Sequence, residues 1–440
     1  MDKLIIKGGV PLKGAVKLCG AKNSSYKLMI ASLLCSHENR LLNFSRIADV
    51  SLVRDIIKQL GAKAYSAGDR TMFVNAKTLT NSVIPKNLGK ASRASSMFIA
   101  PLLARLKKAT VPLPGGDKIG KRPLGWHFDG LRAMGVNLEV KNNMLVASCQ
   151  SLHGTDYTFP KNSHTGTETL IMAAVLAKGV TNIRNAALEP EVDDLIGFLN
   201  KMGAKIKRKP NRIIKIQGVK TLKPVIHQVM PDRNEAVSYA IAGIITKGDV
   251  IIENANKDHL KIFLRKLKLA GVGIELGKYG IRIYYQENLR AVDIITKPHP
   301  GFATDHQPLW SILATQLHGS SKIIEAVFSS RFQFAKDLKS MGANLKFFDP
   351  KPKDPNSFYN FNLEDDNPAN QHGMIITGPT PLIGMTIKVT DIRAGATLAL
   401  AGLAATGTST LTGLDHIDRG YEDFAGRLLQ LGANIKRIKS

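Results

Sequence analysis

Six short polar stretches place charged or amide side chains directly before runs of small apolar residues. They are Ala21-Lys22-Asn23-Ser24, Ser92-Arg93-Ala94-Ser95, Thr165-Gly166-Thr167-Glu168, Pro231-Asp232-Arg233-Asn234, Thr304-Asp305-His306-Gln307 and Asp391-Ile392-Arg393-Ala394. A run such as Leu398 to Ala405 is apolar all round, so as a helix it is buried and only its polar start surfaces. Helix N-termini offer free N–H groups and partial positive charge, which suit phosphate and carboxylate. At the first of them Lys22 and Asn23 read as a cation and an amide aimed at a phosphate, against a solvated lysine beside a cap. Arg93, Arg122, Arg233, Arg331, Arg393 and Arg419 lie at helix starts or glycine-rich turns, where the guanidinium fork can grip the same anions bidentately. Phosphorylated ligands are the chemistry these residue types suit.

Candidates for proton transfer are fewer. Asp305 opens the fifth apolar run, and a carboxylate there is either a general base towards a hydroxyl or a helix N-cap. The stretch Asp415-His416-Ile417-Asp418-Arg419-Gly420-Tyr421-Glu422 is more polar than a plain connection requires. Pro112-Leu113-Pro114-Gly115-Gly116-Asp117-Lys118-Ile119-Gly120 reads as a mobile lid with Asp117 at its tip. It lacks the Lys-Ser/Thr ending of a phosphate-binding P-loop.

The elements that position these groups repeat. Leu60-Gly61-Ala62, Met134-Gly135-Val136, Met202-Gly203-Ala204, Ala270-Gly271-Val272, Met341-Gly342-Ala343 and Leu431-Gly432-Ala433 each end a helical pattern and lead into a strand-like run. Glycine suits a helix C-terminus because it adopts the left-handed conformation without Cβ strain. Each such glycine follows a polar stretch by about 40 residues, and the whole unit recurs at about 70. The unit is helix, strand, helix, glycine cap, strands, and six units are most simply two lobes of three. The interval from Gly342 to Gly432 is longer, which places an insertion at about 347–373, among Asp349-Pro350-Lys351-Pro352 and Asp365-Asp366-Asn367-Pro368.

Composition bounds the class. The 440 residues suffice for two or three domains, and a hydrophobic fraction of 44% is that of a globular protein. No apolar run approaches the roughly 18–20 residues of a membrane span, and Met1 to Lys7 has no signal-peptide core, so a cytoplasmic protein without membrane insertion is expected. Cys19, Cys35 and Cys149 fit neither a disulfide framework nor a zinc site. The net charge of +26 favours anionic partners, yet Lys261, Arg265, Lys266 and Lys268 typify a scattered distribution rather than the tracts of a nucleic-acid protein. No nucleic-acid partner is expected.

Taken in order, Gly20-Ala21-Lys22-Asn23, Pro114-Gly115-Gly116 through Arg122-Pro123, Pro231-Asp232-Arg233, Pro298-His299-Pro300 through Asp305, Thr390-Asp391-Ile392-Arg393-Ala394 and His416 to Glu422 resemble the UDP-N-acetylglucosamine enolpyruvyl transferases, over essentially the whole chain. The related 3-phosphoshikimate enzymes would show Ser-Lys-Ser where this chain has Ala21-Lys22-Asn23. The resemblance implies an α/β fold: a two-lobed inside-out α/β barrel of six βαβαββ repeats, three per lobe. One lobe would be 22–230 and the other 1–21 with 231–440. It implies transfer of the enolpyruvyl group of phosphoenolpyruvate to the 3′-hydroxyl of UDP-N-acetylglucosamine with release of phosphate. That is the first committed step of peptidoglycan synthesis, on which cell shape and division depend.

By the same resemblance Lys22 and Asn23 hold phosphoenolpyruvate together with Arg122, Arg393 and Arg419, and Asp305 takes the proton of the acceptor hydroxyl. Arg93, Arg122-Pro123-Leu124-Gly125-Trp126, Lys161-Asn162-Ser163-His164 and Val327 bind the UDP-sugar, with Arg233 and Arg331 among the substrate-binding residues. No metal or organic cofactor is implied. Most of the family has cysteine as the lid's proton donor where this chain has Asp117. A carboxyl group must have its pKa raised to donate a proton near neutrality, and a carboxylate attacks an epoxide far less readily than a thiolate. Resistance to fosfomycin, the epoxide that alkylates that cysteine, is therefore expected.

Overall fold

All six apolar runs fold as helices: α1 (Lys22–Ser32), α2 (Ile99–Leu106), α3 (His164–Ala174), α4 (Arg233–Ile245), α5 (Gln307–Ala314) and α6 (Ile392–Ala404). The computed structural model describes residues 2–68, 70–113, 115 and 119–439. Every residue of α4 and α5 is buried, and only Asn23 of α1 and Ala404 of α6 escape burial in theirs. Apolar side chains on every side of the axis, from Ala240 to Trp310, make that possible, since no face needs water. The second and fifth runs begin differently from the others, with 3-10 turns Arg93–Phe98 and Thr304–His306 ahead of α2 and α5.

The chain divides into two compact units. One comprises Gly20–Gly116 and Arg122–Met230 and holds α1 to α3; the other comprises Met1–Cys19, Asp117–Lys121 and Pro231–Ser440 and holds α4 to α6. Each has its own hydrophobic core. The second unit is discontinuous because the N-terminal strands pair within it. Lys3–Lys7 lies antiparallel between Thr408–Thr412 and Asn434–Ile438, while Lys13–Lys17 runs parallel to Asp249–Glu253.

Among the described residues each unit carries three sheets. Five of the six have four strands with one parallel pair apiece; the sixth, Lys108–Pro112, Met144–Ser148 and Asn137–Lys141, has three. Each sheet turns one face to its unit's helices. In Asp249–Glu253, Val250 and Ile252 are buried and Ile251 is exposed, the period-two alternation of a half-buried strand. Helices are thus enclosed by sheets, the inside-out arrangement. All six predicted helix-ending glycines, Gly61, Gly135, Gly203, Gly271, Gly342 and Gly432, have φ between 87° and 109°.

After Gly342 the hairpin Asn344–Phe348 and Gly373–Gly378 closes on the pair Phe348 and Gly373. Between them lie a short helix, Pro355–Phe358, capped by Asp354, and a 3-10 turn, Leu363–Asp365. Tyr359 and Phe361 pack with Ala326 into a separate small core, and the Asn360 amide donates to the Ala326 carbonyl at 2.7 Å. No helix among the described residues is long and apolar enough to cross a membrane.

Candidate active site

In the α4–α6 unit the polar helix starts gather around one carboxylate. Asp305, in the 3-10 turn before α5, accepts from Arg331 Nη2 at 2.9 Å and lies 3.5 Å from Arg393 Nη2. The N-cap alternative for Asp305 is thereby corrected: Ala303 holds the cap position and the Asp305 side chain turns to the arginines instead. A short turn leaves the carboxylate free to follow the stronger charge-assisted bonds. The side chain keeps 29% exposure, so it remains reachable. Burial opposes its ionisation, but Arg393 and Arg331, helped by His306 and Arg233, hold the carboxyl well below the usual range.

Arg393 is itself fixed. Its Nη1 donates to the Tyr421 hydroxyl at 2.9 Å, and that hydroxyl lies 2.8 Å from Ser238 Oγ on α4. Burial works against the guanidinium, while Tyr421 and Asp305 keep it charged. Asp232 caps α4 through the amides of Asn234 and Glu235, and Asp391 caps α6 through those of Arg393 and Ala394. Each cap fixes the backbone that carries the neighbouring arginine, Arg233 or Arg393. Arg419 ends the short helix Asp415–Asp418; next to it Gly420 abuts α6 so closely that a Cβ there would meet Ile392 at 2.4 Å.

Val327 lies two residues after Glu325, a buried carboxylate that gathers four donors: Thr296 and Thr304 hydroxyls at 2.8 and 2.9 Å, and the amides of Val327 and Phe328 at 2.8 and 3.0 Å. Glu325 thus ties the Val327 turn to the residue before Asp305. Sequence reading passed it over, because a lone glutamate after a strand carries no local signal. Asp117 lies outside the described residues. Beyond it, Ser330 donates to the Ile119 carbonyl at 3.3 Å, and Lys121 is 3.8 Å from Asp365 of the insertion.

The α1–α3 unit supplies a different set. Lys22 opens α1 and pairs with Asp49 at 3.0 Å, both nearly buried. The entry to α1 is tight, since a Cβ on Gly20 would meet the Asn43 carbonyl at 1.8 Å. Asn23, the next residue, is half-buried. Arg93 donates to the Arg122 carbonyl at 2.7 Å, which fixes the start of Arg122-Pro123-Leu124-Gly125-Trp126. Burial and the Arg122 cation lower the Arg93 pKa to about 9, so it stays charged near neutrality. Gly125 and Trp126 begin the helix Gly125–Ala133, and the Trp126 carbonyl accepts from Tyr157 at 2.9 Å.

Lys161, Asn162 and Ser163 lead into α3, where the Ser163 hydroxyl caps the Gly166 amide at 3.1 Å and His164 is the first helical residue. The two stretches are linked through His127, whose Nε2 lies 2.9 Å from Thr165 Oγ1. Burial and Arg93 push the His127 pKa down to about 3, leaving a neutral ring. Asp49 and His127 were not singled out from sequence; both act on partners far away in the chain.

The family model described as EPSP synthase (3-phosphoshikimate 1-carboxyvinyltransferase) matches residues 6–428. The chain is 38% identical over 439 residues to the UDP-N-acetylglucosamine 1-carboxyvinyltransferase of Desulfatibacillum aliphaticivorans, covering all of both chains. It is 39% identical over 441 residues to UDP-N-acetylglucosamine 1-carboxyvinyltransferase 1 of Staphylococcus aureus (strain MRSA252), again covering all of both. Among solved structures it resembles the enolpyruvyl transferase NikO from Streptomyces tendae, with a TM-score of 0.87 at 24% identity over 100% of this chain and 99% of that one. An EPSP synthase from Acinetobacter baumannii matches with a TM-score of 0.75 at 20% identity, covering all of both chains.

Proposed function

The chain belongs to the enolpyruvyl transferase family, and from that premise we propose that it transfers the enolpyruvyl group of phosphoenolpyruvate to the 3′-hydroxyl of UDP-N-acetylglucosamine, releasing phosphate. End-to-end identity of 38–39% to relatives named for that reaction carries the choice of acceptor. The reaction opens peptidoglycan synthesis in the cytoplasm.

Asp305 takes the proton of the acceptor hydroxyl as its oxygen bonds to C2 of phosphoenolpyruvate, and the Asp117 carboxyl delivers a proton to C3. The tetrahedral adduct then loses a proton from C3 while the C2–O bond to phosphorus breaks and phosphate leaves with the electron pair. Lys22, Asn23, Arg122, Arg393 and Arg419 hold the phosphate and carboxylate, and their charges stabilise what develops on the leaving group. Arg93, Arg122 to Trp126, Lys161 to His164, Val327, Arg233 and Arg331 receive the nucleotide sugar.

The arginines around Asp305 give this scheme an internal logic. A carboxylate held so low by Arg393 and Arg331 is a feeble base on its own. An anion on Arg393 cancels part of that field and restores basicity once phosphoenolpyruvate is in place. The same anion raises the pKa of a neighbouring carboxyl, which is what Asp117 needs in order to donate.

Phosphate release by the purified protein tests the reading. Phosphoenolpyruvate with UDP-N-acetylglucosamine should give stoichiometric phosphate, and shikimate 3-phosphate as acceptor should give none. The reverse pattern would assign the chain to the other branch of the family.

A further inference from the structure

α1 and α3 each bury a charge that the scheme above does not use. Lys27, 1% exposed, and Glu168, fully buried, are paired at 2.6 Å. Both face the same atom of a third residue: Lys27 Nζ is 3.0 Å and Glu168 Oε1 is 3.2 Å from His164 Nε2. His164 keeps 24% exposure. A buried ion pair seldom adds net stability, because desolvation of two charges offsets their attraction. A pair retained in the middle of two apolar helices, with both members on one ring nitrogen, calls for a role in what that ring does.

We infer that Lys27 and Glu168 are positioning residues that hold His164 with its Nδ1 protonated, as a fixed hydrogen-bond donor to the UDP moiety of the acceptor. The inference rests on the proposed acceptor and on the assignment of Lys161 to His164 to it. A lysine ammonium has only donors, so a neutral ring beside it turns its Nε2 lone pair to Lys27 and carries its proton on Nδ1. An imidazolium, favoured by the Glu168 carboxylate 3.2 Å away, carries a proton on both nitrogens and so also keeps Nδ1–H. Burial disfavours that charged ring, but Glu168 and, more weakly, Glu189 outweigh burial and Lys27 to raise its pKa. The state excluded is the neutral ring protonated on Nε2: that N–H would face the Lys27 ammonium, and Glu168 Oε1, 3.2 Å away, accepts no hydrogen bond from the ring. In either permitted state Nδ1 presents a proton, and the carbonyl and phosphate oxygens of a uridine diphosphate accept it. Phosphoenolpyruvate, held by other residues, is indifferent to this ring.

Two variants isolate the effect. His164→Ala leaves the buried pair intact, and the double change Lys27→Met with Glu168→Met replaces it by apolar side chains of similar size, an exchange buried pairs tolerate. Each should raise KM for UDP-N-acetylglucosamine about tenfold, the worth of one hydrogen bond to a charged partner, with kcat and KM for phosphoenolpyruvate unchanged. Lys27→Arg, which keeps a cation beside Glu168, should show little of the loss seen in the double variant. Adding the pair's removal to His164→Ala should add nothing, because the pair acts only through the ring. An equal further loss in that background, or a change in both substrates' KM, would overturn the inference. Nitrogen-15 spectra of histidine-labelled protein read the tautomer directly: Nδ1–H is expected in the wild type, and a neutral ring protonated on Nε2 sinks the proposal whatever the kinetics. If the wild type releases no phosphate with UDP-N-acetylglucosamine, the functional reading falls and takes the nucleotide role of His164 with it. The spectra still decide whether the pair fixes the ring.

Discussion

The starts of α4 and α6 differ from that of α1, although all three open the same kind of buried helix. At α4 and α6 an aspartate side chain occupies the N-terminal amides, and arginines at the first or second helical position project onto Asp305 or its surroundings. At α1 the cap position is Ala21, no side chain caps the helix, and no acidic residue stands in its first turn. The first pattern spends the helix terminus on holding a side chain still. The second leaves the helix terminus without a side-chain cap, while Lys22, its first residue, is paired with Asp49. The same kind of helix start thus carries two arrangements, a carboxylate governed by cations beside capped helices and a lysine balanced by one carboxylate at an uncapped one.

Several substitutions break or sharpen that contrast. The largest effect is all-or-none and concerns the other carboxylate: Asp117→Cys should convert an enzyme indifferent to stoichiometric fosfomycin into one fully inactivated by it, followed as residual phosphate release. Inactivation of the wild type would remove the reason for assigning resistance to Asp117. Asp305→Asn should lower kcat by about 10²- to 10⁴-fold at saturating substrates, the usual contribution of a general base. An unchanged kcat would return Asp305 to a purely structural part. Lys22→Met should lower kcat/KM for phosphoenolpyruvate by about 10- to 100-fold, as expected for a charge-assisted contact, while circular dichroism stays native. Arg331→Met removes one of the two strongest of the cations that depress Asp305. Its pKa rises, the ionised base is lost at a higher pH as acid is added, and the acid limb of the kcat/KM profile moves upward. Asp391→Ala should show the smallest effect, about 1 kcal/mol of stability in urea unfolding for the lost cap.

Much of this architecture is legible in the sequence for a simple reason. Glycines that end helices and polar residues that begin buried ones are local requirements, so Gly61 and its five counterparts stand out at a regular period. Asp305 is legible as a residue of interest but not as to role, since choosing between cap and base needs Arg331 and Arg393, which reach it only in the fold. The pair Lys27 and Glu168 lies further out of reach. Lys27 and His164 are 137 positions apart, and neither end of the pair announces the other. A usable signal exists all the same: a charged residue inside a helix with no polar face must find an opposite charge, and α1 and α3 each hold one.

The insertion between Phe348 and Gly373 has a consequence for how this chain can be rebuilt. It leaves and re-enters the hairpin at two residues that face each other across the ladder, so it lengthens a loop without disturbing register. Loop-closure entropy grows only with the logarithm of length, about 0.6 kcal/mol for each doubling. The excursion therefore costs the sheet little, and its own aromatic cluster over Ala326 offsets part of the ordering. This hairpin end is a port in the scaffold, a place where sequence can be spliced out or exchanged while the six repeats beneath keep their registers.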